Sequence, residues 1–359
     1  MSTEMSEFRP NWASAPGDTM SDILGEKGLS VGEFAEHIGK TLERTRDLLQ
    51  GRATITIRTA RALETVLGGS VEFWISRDYQ YREHVARVHA ADQEWLNELP
   101  LGDMIKFGWL QPAPRPPEEL EACLRFFGVV SVGAWRHAYD DLATLVAFRT
   151  SPSFDSRPAA VAAWIRKAEI EAAKIECAPW SARRFRDSLP DIRRLTLERD
   201  PSNFLPALQR ICSASGVAAV IVRAPSGCRA SGATRFVSSG KALLLLSFRY
   251  LSDDQFWFTF FHEAGHLLLH GAESTFLEGL DGDSSNQESE ANEFAERVLI
   301  PSEFERALLT VPSDMRAIVR FANKIGVSPG IVVGQLQHHG RVRRNHFNGL
   351  KRRFQWSNT

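Results

Sequence analysis

Two histidines four residues apart, His262 and His266, have the spacing of a metal-binding pair. Residues i and i+4 share one face of a helix, so both imidazoles can reach the same ion. Glu263 would then lie beside a water molecule at that ion and could accept its proton, which is the arrangement of HExxH zinc sites. The spacing therefore predicts a zinc centre with its own general base.

The residues around this motif are strongly apolar. They include Phe256, Trp257, Phe260, Phe261, Leu267, Leu268 and Leu269. This much apolar surface predicts a buried helix, and a buried helix holds metal ligands in fixed positions. The alternative is a helix that carries the motif and has only a structural role.

A second predicted helix follows and ends at Pro301. Its apolar stripe comprises Ala291, Phe294, Ala295, Val298 and Leu299. Hydrolytic zinc sites use three protein ligands and leave one position open. Glu288 and Asn292 share a face beside the stripe, so we predict Glu288 as the third ligand and Asn292 as a residue that orients a ligand histidine. Glu290 is the alternative third ligand.

Several other polar residues could take part in the chemistry. His270 continues the four-residue spacing, but it precedes Gly271, where the helix is expected to end. The helix dipole favours a histidine there without any metal, so His270 is not included among the ligands. Candidates for stabilising an oxyanion, by their chemistry alone, are Tyr250, Arg235, His338 and His339.

The run FWFTFFHEAGH, followed by the segment ESEANEFAERVLIP, resembles the ImmA/IrrE family of zinc metallopeptidases. The resemblance extends over roughly residues 192–340. It implies that His262, His266 and Glu288 hold Zn2+ and that Glu263 is the catalytic base. It also implies a protein substrate, such as a transcriptional repressor or an antitoxin, cleaved during stress or in the control of mobile elements.

The composition restricts the class of protein. A chain of 359 residues has room for two or three domains, and a net charge of -1 argues against a general polyanion binder. The four cysteines form no CxxC pair, which predicts neither a disulfide framework nor a cysteine zinc site. The absence of a long apolar run predicts no membrane span. We therefore expect a reduced, cytoplasmic protein.

The N-terminal region has the pattern of a helix-turn-helix domain. We expect a disordered leader over residues 1–15 and the domain over residues 16–90. Ser30 and Thr41 can cap two successive short helices, and Gly51 can end the second of them. The pattern resembles HigA-type antitoxins of the Cro/repressor class, which implies that this domain can bind DNA.

Four residues are the candidates for DNA contacts: Thr41, Arg44, Arg46 and Arg52. Two neighbours depart from the pattern of that class. Glu43 lies where phosphate-facing residues are expected, and a carboxylate is repelled by phosphate. Thr45 stands where an aliphatic residue is usual. The alternative is a docking or dimerisation module, and a homodimer is a further expectation.

The rest of the sequence predicts an α+β, mostly helical chain. Residues 91–195 read as a helical connector, residues 196–340 as a zincin-like catalytic domain, and residues 341–359 as a basic tail. Strands are expected at 217–222, 231–237 and 242–247, forming a small sheet against the HExxH helix. Two functions remain open: a regulatory zinc peptidase with a repressor-like module, or a DNA-binding regulator or antitoxin whose peptidase fold serves as a sensor or partner-binding domain.

Overall fold

The computed structural model describes residues 14–139, 156–270, 276–277 and 285–356. These residues are mostly helical and include one small sheet, so the predicted α+β, mostly helical class is confirmed. Most of the predicted leader, residues 1–13, lies outside the described part. Within that part, no helix is both long enough and apolar enough to cross a membrane. The chain divides into two compact units at residue 95.

The first unit is built of short helices. They are α1 (Pro16–Lys27), α2 (Val31–His37), α3 (Leu42–Leu49), α4 (Ile57–Leu67) and most of α5 (Val71–Glu98). Ser30 and Thr41 cap α2 and α3 by accepting hydrogen bonds from the backbone N–H of Glu33 and Arg44. The core contains Met20, Phe34, Leu63 and Trp74. Helices α2 and α3 are thus joined by a four-residue turn, as in a helix-turn-helix.

Helix α5 continues without a break through residue 90, where the sequence suggested a domain boundary. The helices that follow it are α6 (Leu101–Lys106), α7 (Pro116–Phe127), α8 (Val132–Ala138), α9 (Pro158–Ala173), α10 (Ala182–Arg194) and α11 (Pro201–Ser213). Those after the sheet are α12 (Asp253–Leu269), α13 (Ser285–Leu299), α14 (Ser302–Leu309), α15 (Met315–Ile325) and α16 (Pro329–His338). Short 3-10 turns lie at 195–197 and 348–350.

The sheet of the second unit has four strands in the order β1-β3-β2-β4. Their bounds are β1 Val217–Ile221, β2 Gly232–Ser238, β3 Lys241–Leu246 and β4 Phe276–Leu277. Strand β1 is parallel to β3, whereas β2 is antiparallel to both β3 and β4. The three predicted strands are therefore present, each within one residue of its expected ends. The two-residue β4 was not predicted.

Both faces of the sheet are covered by helices. Alternate residues of β1 and β3, such as Ala218 and Leu243, pack with α9. Their neighbours, such as Ala219 and Leu244, pack with α12. Strands buried on both faces are apolar at every position, which explains the unbroken hydrophobic run of β3. Helix α9, which the sequence assigned to the connector, is thus one layer of the sheet's own domain.

The N-terminus of α12 is held by a later segment of the chain. Asp253 accepts hydrogen bonds from the backbone N–H of Arg352 at 3.0 Å and from the hydroxyl of Ser328 at 2.7 Å. The ammonium of Lys351 lies 2.6 Å from the buried carboxylate of Asp254. Lys351 and the backbone of Arg352, both in the predicted basic tail, thus contact two buried carboxylates.

Candidate metal centre

Helices α12 and α13 pack side by side and run antiparallel. The close approach is made at Gly265, where an added Cβ would lie 3.2 Å from the Cα of Ala291 and equally near the ring of Phe294. A larger residue at this position would therefore press against the backbone of α13. The glycine lets α13 bring its own side chains to the face of α12 that carries the two histidines.

His262, His266 and Glu288 converge on one point. The two Nε2 atoms are 3.0 Å apart. The Glu288 carboxylate places Oε2 at 3.4 Å from Nε2 of His262 and Oε1 at 3.4 Å from Nε2 of His266. Both imidazoles are buried, and Glu288 is partly buried. The three predicted ligands are thus brought together within 4.8 Å of one another.

These distances fit a tetrahedral zinc ion. With zinc–nitrogen and zinc–oxygen bonds of about 2.0–2.2 Å, two ligand atoms at a tetrahedral angle lie about 3.3 Å apart. The observed separations of 3.0 and 3.4 Å bracket that value. Two imidazoles and one carboxylate are also the ligand set of hydrolytic zinc sites that leave a fourth position open. The residues present therefore fit the metal that the sequence predicts.

The imidazole of His262 is oriented from behind by Asn292. Its Nδ1 lies 3.0 Å from the amide oxygen of Asn292. An amide oxygen can only accept, so Nδ1 carries the proton and Nε2 presents a lone pair to the cluster. Asn292 thus occupies the orienting position that its spacing from Glu288 predicts.

The imidazole of His266 is supported by a longer chain of contacts. Nδ1 of His266 lies 3.1 Å from Nδ1 of His270, and Nε2 of His270 lies 2.9 Å from Oε2 of Glu290. The carboxylate accepts from Nε2, so a neutral His270 has its lone pair at Nδ1 and accepts the N–H of His266. Glu290, the alternative ligand from the sequence, is therefore a hydrogen-bond partner of His270.

The protonation states of the cluster suit a cation. Burial lowers the pKa of His266, which keeps this imidazole neutral. Burial alone would raise the pKa of Glu288. The hydrogen bonds and charges of His262 and His266 outweigh that effect and hold this pKa well below its ordinary value. A neutral imidazole and an ionised carboxylate are the forms that bind zinc.

Glu263 lies between α12 and the sheet. Its carboxylate is completely buried, and an added Cβ at Gly232 of β2 would come within 2.4 Å of its Oε1. The methyl group of Thr259 contacts the same glycine position. Because β2 has no side chain here, the carboxylate can lie against the strand. Glu263 directly follows His262 along the helix, which is the position the sequence predicts for a general base.

The four oxyanion candidates have other partners. Arg235 is paired with Glu169 at 2.8 Å. His338 lies 3.2 Å from Glu296, and the ring of His339 packs beside it. Tyr250 is 51% exposed, with the guanidinium of Arg249 over its ring. None of these contacts favours one candidate for transition-state stabilisation.

The four DNA candidates differ in what they contact within the first unit. The hydroxyl of Thr41 is used to cap α3. Arg52 is paired with Asp47 at 2.6 Å. Arg44 and Arg46 are exposed on α3, and within the described residues neither makes an ion pair. The buried hydroxyl of Thr45 donates to the carbonyl of Thr41 at 3.0 Å, which satisfies the polar group at this unusual position.

Part of the second unit is similar to a known protein family. Residues 216–336 match the model of the Peptidase_M78 family, described as an IrrE N-terminal-like domain. The matched segment contains all four strands and the two helices, α12 and α13, that carry the candidate ligands. No curated protein matches the chain. The match supports a metallopeptidase domain, with zinc as its usual metal, in this segment.

Proposed function

We propose that the chain is a zinc-dependent regulatory endopeptidase that cleaves a transcriptional repressor, an antitoxin or itself. The observation that carries this proposal is the convergence of His262, His266 and Glu288 on one point, with a completely buried Glu263 next to His262 in the chain. The match of residues 216–336 to a peptidase family supports the same reaction class. We also propose a cytoplasmic location, because the four cysteines form no CxxC pair and predict a reduced protein.

Each side chain has a separate role in this reaction. His262, His266 and Glu288 would hold the metal, which when bound polarises the scissile carbonyl and acidifies water. Glu263 accepts a proton from the attacking water at its carboxylate and passes it to the leaving amine. Asn292 and the His270–Glu290 pair keep the two imidazoles in the tautomer that directs Nε2 inwards. The apolar walls contributed by α12 and the sheet limit the access of bulk water.

Two features of the first unit support a role in DNA binding. Its helices α2 and α3 have helix-turn-helix spacing, and α3 presents Arg44 and Arg46 to solvent. Both guanidinium groups are available to phosphates or base edges. The second candidate function follows from this observation: a DNA-binding regulator or antitoxin in which the peptidase fold acts as a sensor or partner-binding domain. A homodimer would suit either function.

A Glu263→Gln variant tests the peptidase. It removes the proton acceptor but leaves all three ligands, so we expect one zinc per chain, no cleavage, and capture of the uncleaved substrate. Substrate would be identified by mass spectrometry of proteins retained by the variant but not by the active chain. Glu305→Gln, an exposed carboxylate of α14, is the matched control and should keep both zinc and cleavage. Zinc binding without cleavage in the active chain, together with full regulatory activity of Glu263→Gln, would favour the second function.

A further inference from the structure

A cavity of about 490 Å³ lies between α12, α13 and α16. This volume is in the range of small-ligand sites. Its walls include Phe258 of α12, Glu293 and Glu296 of α13, and Gln335 of α16. The buried carboxylate of Asp254 reaches it from the first turn of α12. The cavity therefore combines an aromatic ring, carboxylates and an amide.

The charge of the cavity is negative. Asp254, Glu293 and Glu296 contribute three carboxylates, and among the described residues no lysine or arginine lines it. Glu296 is paired with the exposed His338, and Glu293 with the exposed Arg297. Exposed pairs of this kind are weak and readily exchange partners. Asp254 is paired with the partly buried Lys351 through Oδ2, while Oδ1 has no hydrogen-bond partner in the described part of the chain.

Gln335 is a second, independent indication of a ligand. Gln335 is only 5% exposed, yet it lines the cavity. Within the residues that the structure describes, the side-chain amide of Gln335 makes no hydrogen bond. The amide is therefore available to an occupant of the cavity that carries a hydrogen-bonding group.

The cavity continues the face of the helices that carries the metal ligands. Phe258 and Asp254 precede His262 by one and two turns, about 6 and about 12 Å along the axis of α12. Glu296 follows Glu288 by two turns on α13. The residue between them, Asn292, both lines the cavity and contacts His262. One residue of an extended peptide spans about 3.4 Å. A side chain one or two residues from the scissile bond can therefore reach this cavity.

We propose that the cavity is a specificity subsite for an arginine side chain of the protein substrate, one or two residues from the bond that is cleaved. The assignment rests on the proposed peptidase function. A guanidinium group can stack on Phe258, pair in a planar fork with Glu296, and donate to the amide oxygen of Gln335. Lysine would supply the charge but neither the planar stacking nor the fork.

The test compares arginine with its neutral isostere citrulline. Zinc-loaded full-length protein is given a library of peptides that carry either residue at each position near the cleaved bond. We expect a preference for arginine of about 10- to 100-fold in kcat/KM at one position. In Glu296→Gln and Gln335→Leu this ratio should fall towards one. If Glu296→Gln or Gln335→Leu fails to fold, Glu293→Gln at the exposed rim of the cavity serves instead, and it should also lower the preference for arginine. Glu305→Gln should retain the preference.

A binding experiment separates failure of the subsite from failure of the peptidase. N-acetylarginine N-methylamide and its citrulline counterpart are compared by saturation-transfer NMR on the zinc-loaded protein. Stronger binding of the arginine compound, reduced in Glu296→Gln, supports the cation site even if no peptide is cleaved, in which case the peptidase function fails. Cleavage with equal use of arginine and citrulline overturns the subsite and leaves the peptidase. Preferential binding without any preference in cleavage also overturns the substrate role.

Discussion

Nδ1 of His266 lies 3.1 Å from Nδ1 of His270, so the second histidine of the candidate metal site is supported by a third imidazole. Ligand histidines more often donate to a carboxylate, a carbonyl or water. Here the carboxylate, Glu290, is one step further away, behind His270. The orientation of the buried His266 thus depends on Glu290, whose side chain is 61% exposed.

Removal of this support should weaken metal binding. For His270→Ala we expect zinc affinity to fall about 10- to 100-fold, because His266 loses the acceptor that fixes its tautomer. Glu290→Gln should produce a smaller loss in the same direction. Affinity is measured by competition with a chromophoric chelator. Glu293→Gln, an exposed carboxylate of the same helix, is the control, and unchanged affinity in His270→Ala would contradict the proposed role.

The close approach at Gly265 predicts a coupled loss of stability and metal affinity. An added methyl group would lie 3.2 Å from the Cα of Ala291, so Gly265→Ala must push α13 away from α12. Overpacking of this kind costs about 1–3 kcal/mol of unfolding free energy. The same shift moves Glu288 relative to the histidines and should weaken zinc binding.

Gly102 provides the matched control for this substitution. It is also helical, but an added Cβ there meets no atom within 4 Å. Gly102→Ala should leave zinc affinity unchanged and raise stability by about 0.5–1 kcal/mol. Urea unfolding and chelator competition measure the two quantities. Equal stability of the two variants would show that the helices tolerate the extra methyl group.

Asp253 predicts an unusual dependence of stability on pH. Burial raises the pKa of Asp253 above its ordinary value, although the hydrogen bond from Ser328 opposes the shift. The folded chain therefore holds this proton more tightly than the unfolded chain does. The contribution of Asp253 to stability is greatest at low pH and is lost as the pH rises from the ordinary pKa through the raised one.

The comparison that isolates this effect uses Asp253→Asn, which cannot ionise. Relative to this variant, the parent chain should lose unfolding free energy as the pH rises from about 3.5 to about 7, a range that begins near the ordinary pKa of aspartate. Urea unfolding at several pH values gives the difference. A difference that grows in favour of the parent chain over this range would reverse the sign and refute the argument.

The arginines of α3 differ in their predicted effect on DNA affinity. Arg44→Ala and Arg46→Ala should each weaken DNA binding and reduce its salt dependence, because each removes an exposed cation. Arg52→Ala should have a smaller effect, since its guanidinium already pairs with Asp47. Fluorescence anisotropy with a duplex probe at several salt concentrations measures both quantities. Equal losses in all three variants would show that the Arg52–Asp47 pair opens on binding.

The sequence was informative where a local pattern determines the geometry. The spacing of His262 and His266 requires only a helix, and the apolar strand segments require only their own composition. The pairing of His270 with Glu290 depends on how far α13 lies along α12, which no local pattern specifies. The same holds for the contact of Arg352 with Asp253, because 99 positions separate the two residues in the chain.

That last contact has a consequence for synthesis on the ribosome. The first turn of α12 is translated long before Lys351 and Arg352, the residues that neutralise or hydrogen-bond its two buried carboxylates. Until those residues emerge from the exit tunnel, Asp253 and Asp254 lack these partners and the helix start is poorly supported. The start of the helix that carries both histidines is thereby completed only after a further 99 residues have been synthesised.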